Sequence, residues 1–219
     1  REIFSDETYA PLVIGVDVAR YGNNESVIFP RLGHDCRSWP ARRFQGLNTV
    51  QLVGKVIECV REFRALGINC SGLFVDGGGV GGGVIDQLAD LGYNPKEVQF
   101  GSKAINSKTY RYRSDEMWGN LRDALPRLCL PANNQANGID LLADLTQREF
   151  GYTASGNKIH LETKKDMIAR GVASPDLADA LALTFAMPIA PLQQLAGLAI
   201  NTATVKSEYD PMNPPNMVN

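Results

Sequence analysis

The chain is poor in the residues from which soft-metal and redox sites are built. Its 219 residues include four cysteines and two histidines. Cys36, Cys59, Cys70 and Cys129 lie far apart with no CxxC pair, so neither a zinc site nor a disulfide framework is indicated. Reduced core thiols are expected, which fits a cytosolic setting. His34 and His160 are isolated and read as non-catalytic. No apolar run approaches the roughly 20 residues needed to cross a bilayer. The opening "REIFSDETYA" has neither the basic start nor the apolar core of a signal peptide, and with Arg1 rather than Met in first place the chain is expected to be a fragment or a processed product. A formal net charge of −2 argues against a polyanion binder driven by overall charge. There is also no GxxxxGK[ST] phosphate loop, and "GGGVGGG" lacks the lysine and hydroxyl that hold nucleotide phosphate.

What is present is a mixed α/β pattern, with 44% hydrophobic and 21% charged residues. "LVIGVDV" (Leu12 to Val18) is an apolar, β-branched run ended by a turn, the pattern of a buried strand. "ESVIFPRL" and "RSWPARRFQG" complete a predicted three-strand antiparallel meander, with Pro30 and Pro40 at edge or bulge positions. "NTVQLVGKVIECVREFRALG" is a helix capped by Asn48 and stopped by Gly67. The strand "CSGLFVDGGG", the helix "GGVIDQLADLG" and the strand "KEVQF" then alternate as in a parallel βαβ unit. Further on come the helix "SDEMWGNLRDAL" with Ser114 as cap, the helix "GIDLLADLTQREF", a hairpin of "FGYTAS" and "KIHLET", and a last helix in "SPDLADALALTFA", capped by Ser174 with Pro175 at its first position. The expected organisation is a linker over residues 1–10, one domain over 11–189, and a flexible tail over 190–219 with a short helix near Leu192 to Leu198.

Acids at the ends of apolar segments carry the chemistry. Asp17 closes the first strand and Asp76 the fourth, and carboxyl ends of neighbouring strands are where open sheets form ligand sites. Asp176 and Asp179, at i and i+3, share one face of the last helix. Each has a structural alternative: Asp17 and Asp76 as turn caps, Asp176 as a partner of the helix dipole. Asp179 is harder to explain away, because it lies a turn deeper among Ala and Leu, where an uncompensated charge is costly. Carboxylates gathered in one place repel unless cations neutralise them, and hard oxygen donors without Cys or clustered His select Mg²⁺ or Mn²⁺. Two such ions would support phosphodiester hydrolysis. Basic residues form two clusters: Lys103, Lys108, Arg111 and Arg113 interleaved with Tyr110 and Tyr112, and Lys158, Lys164, Lys165 and Arg170 ahead of the last helix. Either is a solvated face or a phosphate-contacting surface.

The segments "VIGVDVARYGNNESVI", "GLFVDGGGVGGGVIDQL" and "LETKKDMIARG" followed by "SPDLADALALTFA", in this order over about Leu12 to Met187, resemble the nuclease domain of tailed-phage terminase large subunits. The resemblance implies a ribonuclease H-like fold, with three antiparallel strands followed by parallel strands in one helix-flanked mixed sheet. It implies two-metal cleavage of concatemeric viral double-stranded DNA when packaging starts and ends. Asp17, Asp76 and Asp179 are then the catalytic acids and metal ligands, Asp176 an auxiliary ligand, and Lys103, Lys108, Arg111, Arg113, Lys164 and Lys165 the DNA contacts. Relatives carry another acid after the first-strand turn, where this chain reads Asn23-Asn24-Glu25 and offers only Glu25. The implied partners are the portal protein, the terminase small subunit and an ATPase domain of the same parent chain, acting without a membrane in the host cytoplasm. Two rival classes stay open: an actin-like ATPase lobe, and a DNA-binding or portal-docking module without catalysis.

Overall fold

The computed structural model describes residues 10–19 and 25–190. The linker, the turn after the first strand and the tail with its expected helix therefore lie wholly or almost wholly outside the described residues. Strands β1 (Leu12–Asp17), β2 (Glu25–Leu32), β3 (Arg42–Gln45), β4 (Cys70–Asp76) and β5 (Pro95–Val98) form a five-stranded sheet in the order β3-β2-β1-β4-β5. β1–β2 and β2–β3 pair antiparallel, whereas β1–β4 and β4–β5 pair parallel. This is the mixed sheet expected from the sequence, with a shorter third strand. Pro30 lies in the part of β2 beyond the end of β3, whose pairing stops at Ile28 and Arg42, so one side of the strand needs no donor there.

β1 is central and buried throughout, which explains its unbroken apolar run. Its side chains alternate between two cores. Leu12, Ile14 and Val16 pack with Val53, Val56 and Phe63 of α1 (Thr49–Ala65) and with Val84 and Leu88 of α2 (Gly81–Asp90). Val13, with Phe29 and Phe74, packs on the other face against Met117, Trp118 and Leu121 of α3 (Arg113–Ala124), Leu141 of α4 (Gly138–Gln147) and Leu177, Leu181 and Leu183 of α6 (Asp176–Leu183). Between α4 and α6 come the hairpin β6 (Phe150–Tyr152) and β7 (Ile159–Leu161), and α5 (Lys164–Ala169), a helix beyond those expected from the sequence. Asn48 caps α1 as expected, accepting from the Gln51 amide at 2.8 Å while Gln51 Oε1 accepts from the Asn48 amide at 3.0 Å.

Two expected caps are replaced by other groups. α3 begins at Arg113, one residue before Ser114, and its entry is fixed by Asp115, whose carboxylate accepts from the Tyr112 amide at 2.7 Å. α6 begins at Asp176 with Pro175 at the N-cap, and Asp144 of α4 caps it from outside by accepting from the amides of Leu177 at 3.0 Å and Ala178 at 3.3 Å. A carboxylate delivered by tertiary packing does the work assigned to Ser174, and local sequence cannot announce it. None of the four cysteines forms a disulfide, and burial pushes the Cys36 thiol up to about 12. Among the described residues no helix is long and apolar enough to cross a membrane.

α6 is pressed onto β1 at a glycine. A Cβ on Gly15 would stand 2.0 Å from the Ala180 carbonyl oxygen, so only glycine allows the helix to lie this close. Arg31 of β2 secures the far end of α6, donating to Thr184 Oγ1 and to the Thr184 carbonyl, each at 2.8 Å, with its guanidinium 4.3 Å from the Phe185 ring centre. Gly15→Ala is expected to destabilise the chain by roughly 1–3 kcal/mol, read as a lower urea midpoint. Gly54→Ala, on the open face of α1 with nothing near its added carbon, should instead stabilise by roughly 0.5–1 kcal/mol.

Candidate active site

Parallel pairing places the carboxyl ends of β1 and β4 side by side, and with them Asp17 and Asp76. The first turn of α6 crosses the same end and brings Asp176 and Asp179. Between these acids stands the ammonium of Lys164, the first residue of α5, 2.9 Å from Asp179 Oδ2, 3.5 Å from Asp176 Oδ1 and 3.6 Å from Asp17 Oδ2. Thr163 sets the start of α5 by accepting from the Asp166 amide at 3.2 Å. A lysine in a first helical turn works against the helix dipole. The neighbouring carboxylates account for its place.

Asp179 is wholly buried, yet its carboxylate has partners. Oδ1 accepts from Trp118 Nε1 at 2.8 Å and from Arg148 Nη1 at 2.8 Å, and the Arg148 guanidinium lies 4.9 Å from the Trp118 ring centre. Arg148 also donates from Nε to the Glu162 carbonyl at 3.2 Å, tying this group to the segment that leads into Lys164. Among the described residues Oδ2 has no hydrogen bond of good geometry, and the Lys164 ammonium stands beside it. Asp76 splits its role: Oδ1 accepts from the Gly78 amide at 3.0 Å, the turn-capping bond considered for it, while the carboxylate still senses Lys164 and Asp179. The glycine run makes the tight strand-to-helix turn, since Gly79 has φ +60° and a Cβ on Gly81 would stand 1.8 Å from the Asp76 carbonyl oxygen.

The electrostatics follow from burial. Desolvation pushes the Asp17 carboxyl up to about 8 against the pull of Lys164, with Asp179, Asp176 and Asp76 adding repulsion. Burial raises Asp76 as well, opposed by its Gly78 hydrogen bond and by Lys164. Asp179 goes the other way: burial opposes its charge, but Lys164, Arg148 and the Trp118 N–H hold it below the usual carboxylate range. Lys164 suffers desolvation too, and Asp17, Asp179 and Asp176 outweigh it and keep the ammonium protonated far above neutrality. Partial burial where it caps α6 raises Asp144 to about 6 despite two backbone hydrogen bonds.

Among the described residues no His, Cys, Asp or Glu side chains stand in a group of three ready to hold an ion. Lys164 occupies the space between them and supplies the positive charge that the carboxylates demand. The donor set still suits a hard divalent cation, being all carboxylate oxygens with one of them, Asp179 Oδ2, buried and lacking a hydrogen bond.

Other expected site residues are placed differently. Glu25 donates its amide to Asp176 Oδ2 at 3.3 Å, but its carboxylate pairs with Arg43 at 2.6 Å instead of joining the cluster. Arg113, expected to contact DNA, is buried; it donates to Glu116 at 2.6 Å and to the Ala186 carbonyl, which leaves its guanidinium engaged inside the protein. Lys103, Lys108, Arg111 and Lys165 are exposed. Trp39 packs against Phe63 with ring centres 5.2 Å apart and planes tilted by 52°. Trp118 lies in the core, and it and Arg148 join the site through Asp179 without a signal in the sequence.

No family profile and no curated protein matches the chain. Solved structures do. The nuclease domain of the large terminase subunit gp2 of bacterial virus Sf6, with manganese and beta-thujaplicinol, superposes with a TM-score of 0.69 at 17% identity over 81% of this chain and 89% of that one. The fold is that of a phage terminase nuclease. The large terminase nuclease from thermophilic phage G20c with bound magnesium gives a TM-score of 0.54 at 19% identity over 81% of this chain and 82% of that one. The Thermus phage P74-26 large terminase nuclease domain gives 0.53 at 16% identity over 84% and 82%.

Stability of the metal-free chain should depend on pH through Asp17. Folded, this carboxyl holds its proton to about pH 8; unfolded, it ionises near 3.8, so unfolding between those values releases a proton and stability falls as pH rises. Asp144, raised to about 6, adds the same sign over a narrower range. Melting temperature in EDTA is expected to decline from pH 5 to pH 9. Asp17→Asn should flatten that decline and melt about 2–4 °C above wild type at pH 9.

Proposed function

We propose that the chain is a terminase nuclease domain that cleaves double-stranded DNA with divalent metal ions. The observation that supports this reading is the Lys164 ammonium shared by Asp17, Asp176 and Asp179, with Asp76 at the neighbouring strand end, in a fold shared with phage terminase nucleases. Asp17, Asp76 and Asp179 would hold two Mg²⁺ or Mn²⁺ ions, with Asp176 as an auxiliary ligand. Bound there, the ions supply an activated water and neutralise charge on the phosphate. The chain's own residues do the rest. Buried acids exclude bulk water, Asp179 is kept ionised by its fixed partners, and Lys164 neutralises the cluster in the absence of ions and stands ready to meet a phosphate oxygen.

The substrate would approach along an open cleft of about 360 Å³ that begins beside Lys164 and is bordered by Arg111, Tyr112 and His160. Arg111 stacks on Tyr112 at 4.7 Å and, with exposed Lys103 and Lys108, offers phosphate contacts without a base-reading element. The cut DNA would be the concatemeric genome at the start and end of packaging. The portal, the small subunit and an ATPase domain of the parent chain would be its partners.

One observation favours a second reading. Because Lys164 already satisfies the acids, the domain could bind DNA without cutting it. Incubation with plasmid DNA and Mn²⁺ or Mg²⁺ separates the two. Nicking and linearisation are expected, lost in EDTA and reduced at least about 100-fold by Asp17→Asn, Asp76→Asn or Asp179→Asn while filter binding of DNA survives. Binding without cleavage supports the second reading, and cleavage indifferent to all three substitutions overturns the assignment. Replacing Lys103, Lys108 and Arg111 with alanine should weaken binding across unrelated sequences and lessen its salt dependence.

A further inference from the structure

We infer that Trp118 and Arg148 are positioning residues for the ion site, acting through Asp179; this rests on the metal-dependent reading above. A carboxylate with no exposure has two oxygens to satisfy, and here both fixed donors converge on one of them. Trp118 Nε1 and Arg148 Nη1 each lie 2.8 Å from Oδ1, and neither is given to Oδ2. The carboxylate plane is thereby set, and Oδ2 is left to Lys164, whose ammonium also reaches Asp17 and Asp176.

The two donors also brace each other. The guanidinium rests 4.9 Å from the indole centre, and its Nε is anchored on the Glu162 carbonyl at 3.2 Å, so Arg148 has little freedom to follow Asp179 if that side chain moved. The side chain of Arg148 is 6% exposed, a depth at which a cation is kept only with a committed partner. Purely structural burial of an ion pair would be served as well by a lysine or by donors shared over both oxygens. A guanidinium pinned at Nε and giving its Nη1, with the indole N–H, to a single oxygen serves orientation.

The arrangement also makes Trp118 a reporter. Trp39 and Trp118 are the tryptophans of the sequence, and Trp39 packs on Phe63 on the opposite face of the sheet. In a Trp39→Phe background the emission is that of Trp118 alone, and charge neutralisation at Asp179 should shift it.

The test measures Mn²⁺ binding by calorimetry in the 219-residue chain, together with the fluorescence titration in the Trp39→Phe background and a melting curve for every variant. Trp118→Phe removes only the N–H donor, and Arg148→Lys keeps the charge and loses the fork. Each is expected to weaken Mn²⁺ binding roughly 10- to 100-fold, with the fold retained by melting curve and DNA binding unchanged. Trp118 emission should shift with the same midpoint as calorimetric binding. If the unsubstituted chain binds no Mn²⁺, the metal-dependent reading fails and takes this inference with it. Should the chain bind Mn²⁺ and lose it in Asp179→Asn, while Trp118→Phe and Arg148→Lys bind as tightly as wild type, the inference alone is overturned. If Trp118→Phe fails to fold, Arg148→Lys and the emission shift decide.

Discussion

An ionised carboxylate with no exposure, at Asp179, is the constraint around which the domain is arranged. Burying such a charge without partners is among the costliest things a fold can do. The chain meets that demand from three directions: an indole N–H from α3, a guanidinium from the end of α4, and an ammonium from the start of α5. None of these reaches Asp179 unless α6 lies close on β1, and that closeness depends on Gly15 having no side chain. Sheet pairing, helix placement and site electrostatics are thus one problem with one solution.

The same arrangement opposes the stability of the empty protein. Asp17 ends the most buried strand and is held far above its ordinary titration range by desolvation and by its acidic neighbours. A site optimised for stability would carry an amide or an apolar residue there. Retaining a carboxylate that resists ionisation makes sense where a cation arrives to offset it. Lys164 supplies part of that offset internally, which keeps the cluster folded while leaving Asp179 Oδ2 without a hydrogen bond.

Much of this was legible along the chain. The apolar run ending in Asp17, the strand ending in Asp76 and the i, i+3 acids of the last helix could be read because period and turn chemistry are local signals. Their juxtaposition followed from the rule that open sheets gather ligand sites at the carboxyl ends of neighbouring strands. Local signals are silent on partners brought by tertiary packing. Trp118 lies 61 residues and Arg148 lies 31 residues from Asp179, and nothing in helical periodicity separates an indole that fills a core from one that also donates a hydrogen bond. Arg113 sat in a basic, aromatic stretch that reads as surface, but it is the first residue of α3 and faces Glu116 inside the protein. Asp144 belongs to one helix and caps another, which no local signal marks. Two local signals do exist: an acid three residues after a cap position reaches back to the cap amide, as Asp115 does to Tyr112, and a lysine in a first turn, as with Lys164, asks for a partner elsewhere.

The central claim is that these acids form one ion-binding pocket now neutralised by Lys164. Anomalous diffraction from crystals grown with Mn²⁺ addresses it most directly. The account predicts manganese density within ligating reach of the Asp17 and Asp179 carboxylates, with the Lys164 ammonium moved aside. Manganese bound only elsewhere, or none bound while Lys164 keeps its contacts with the carboxylates, would contradict it.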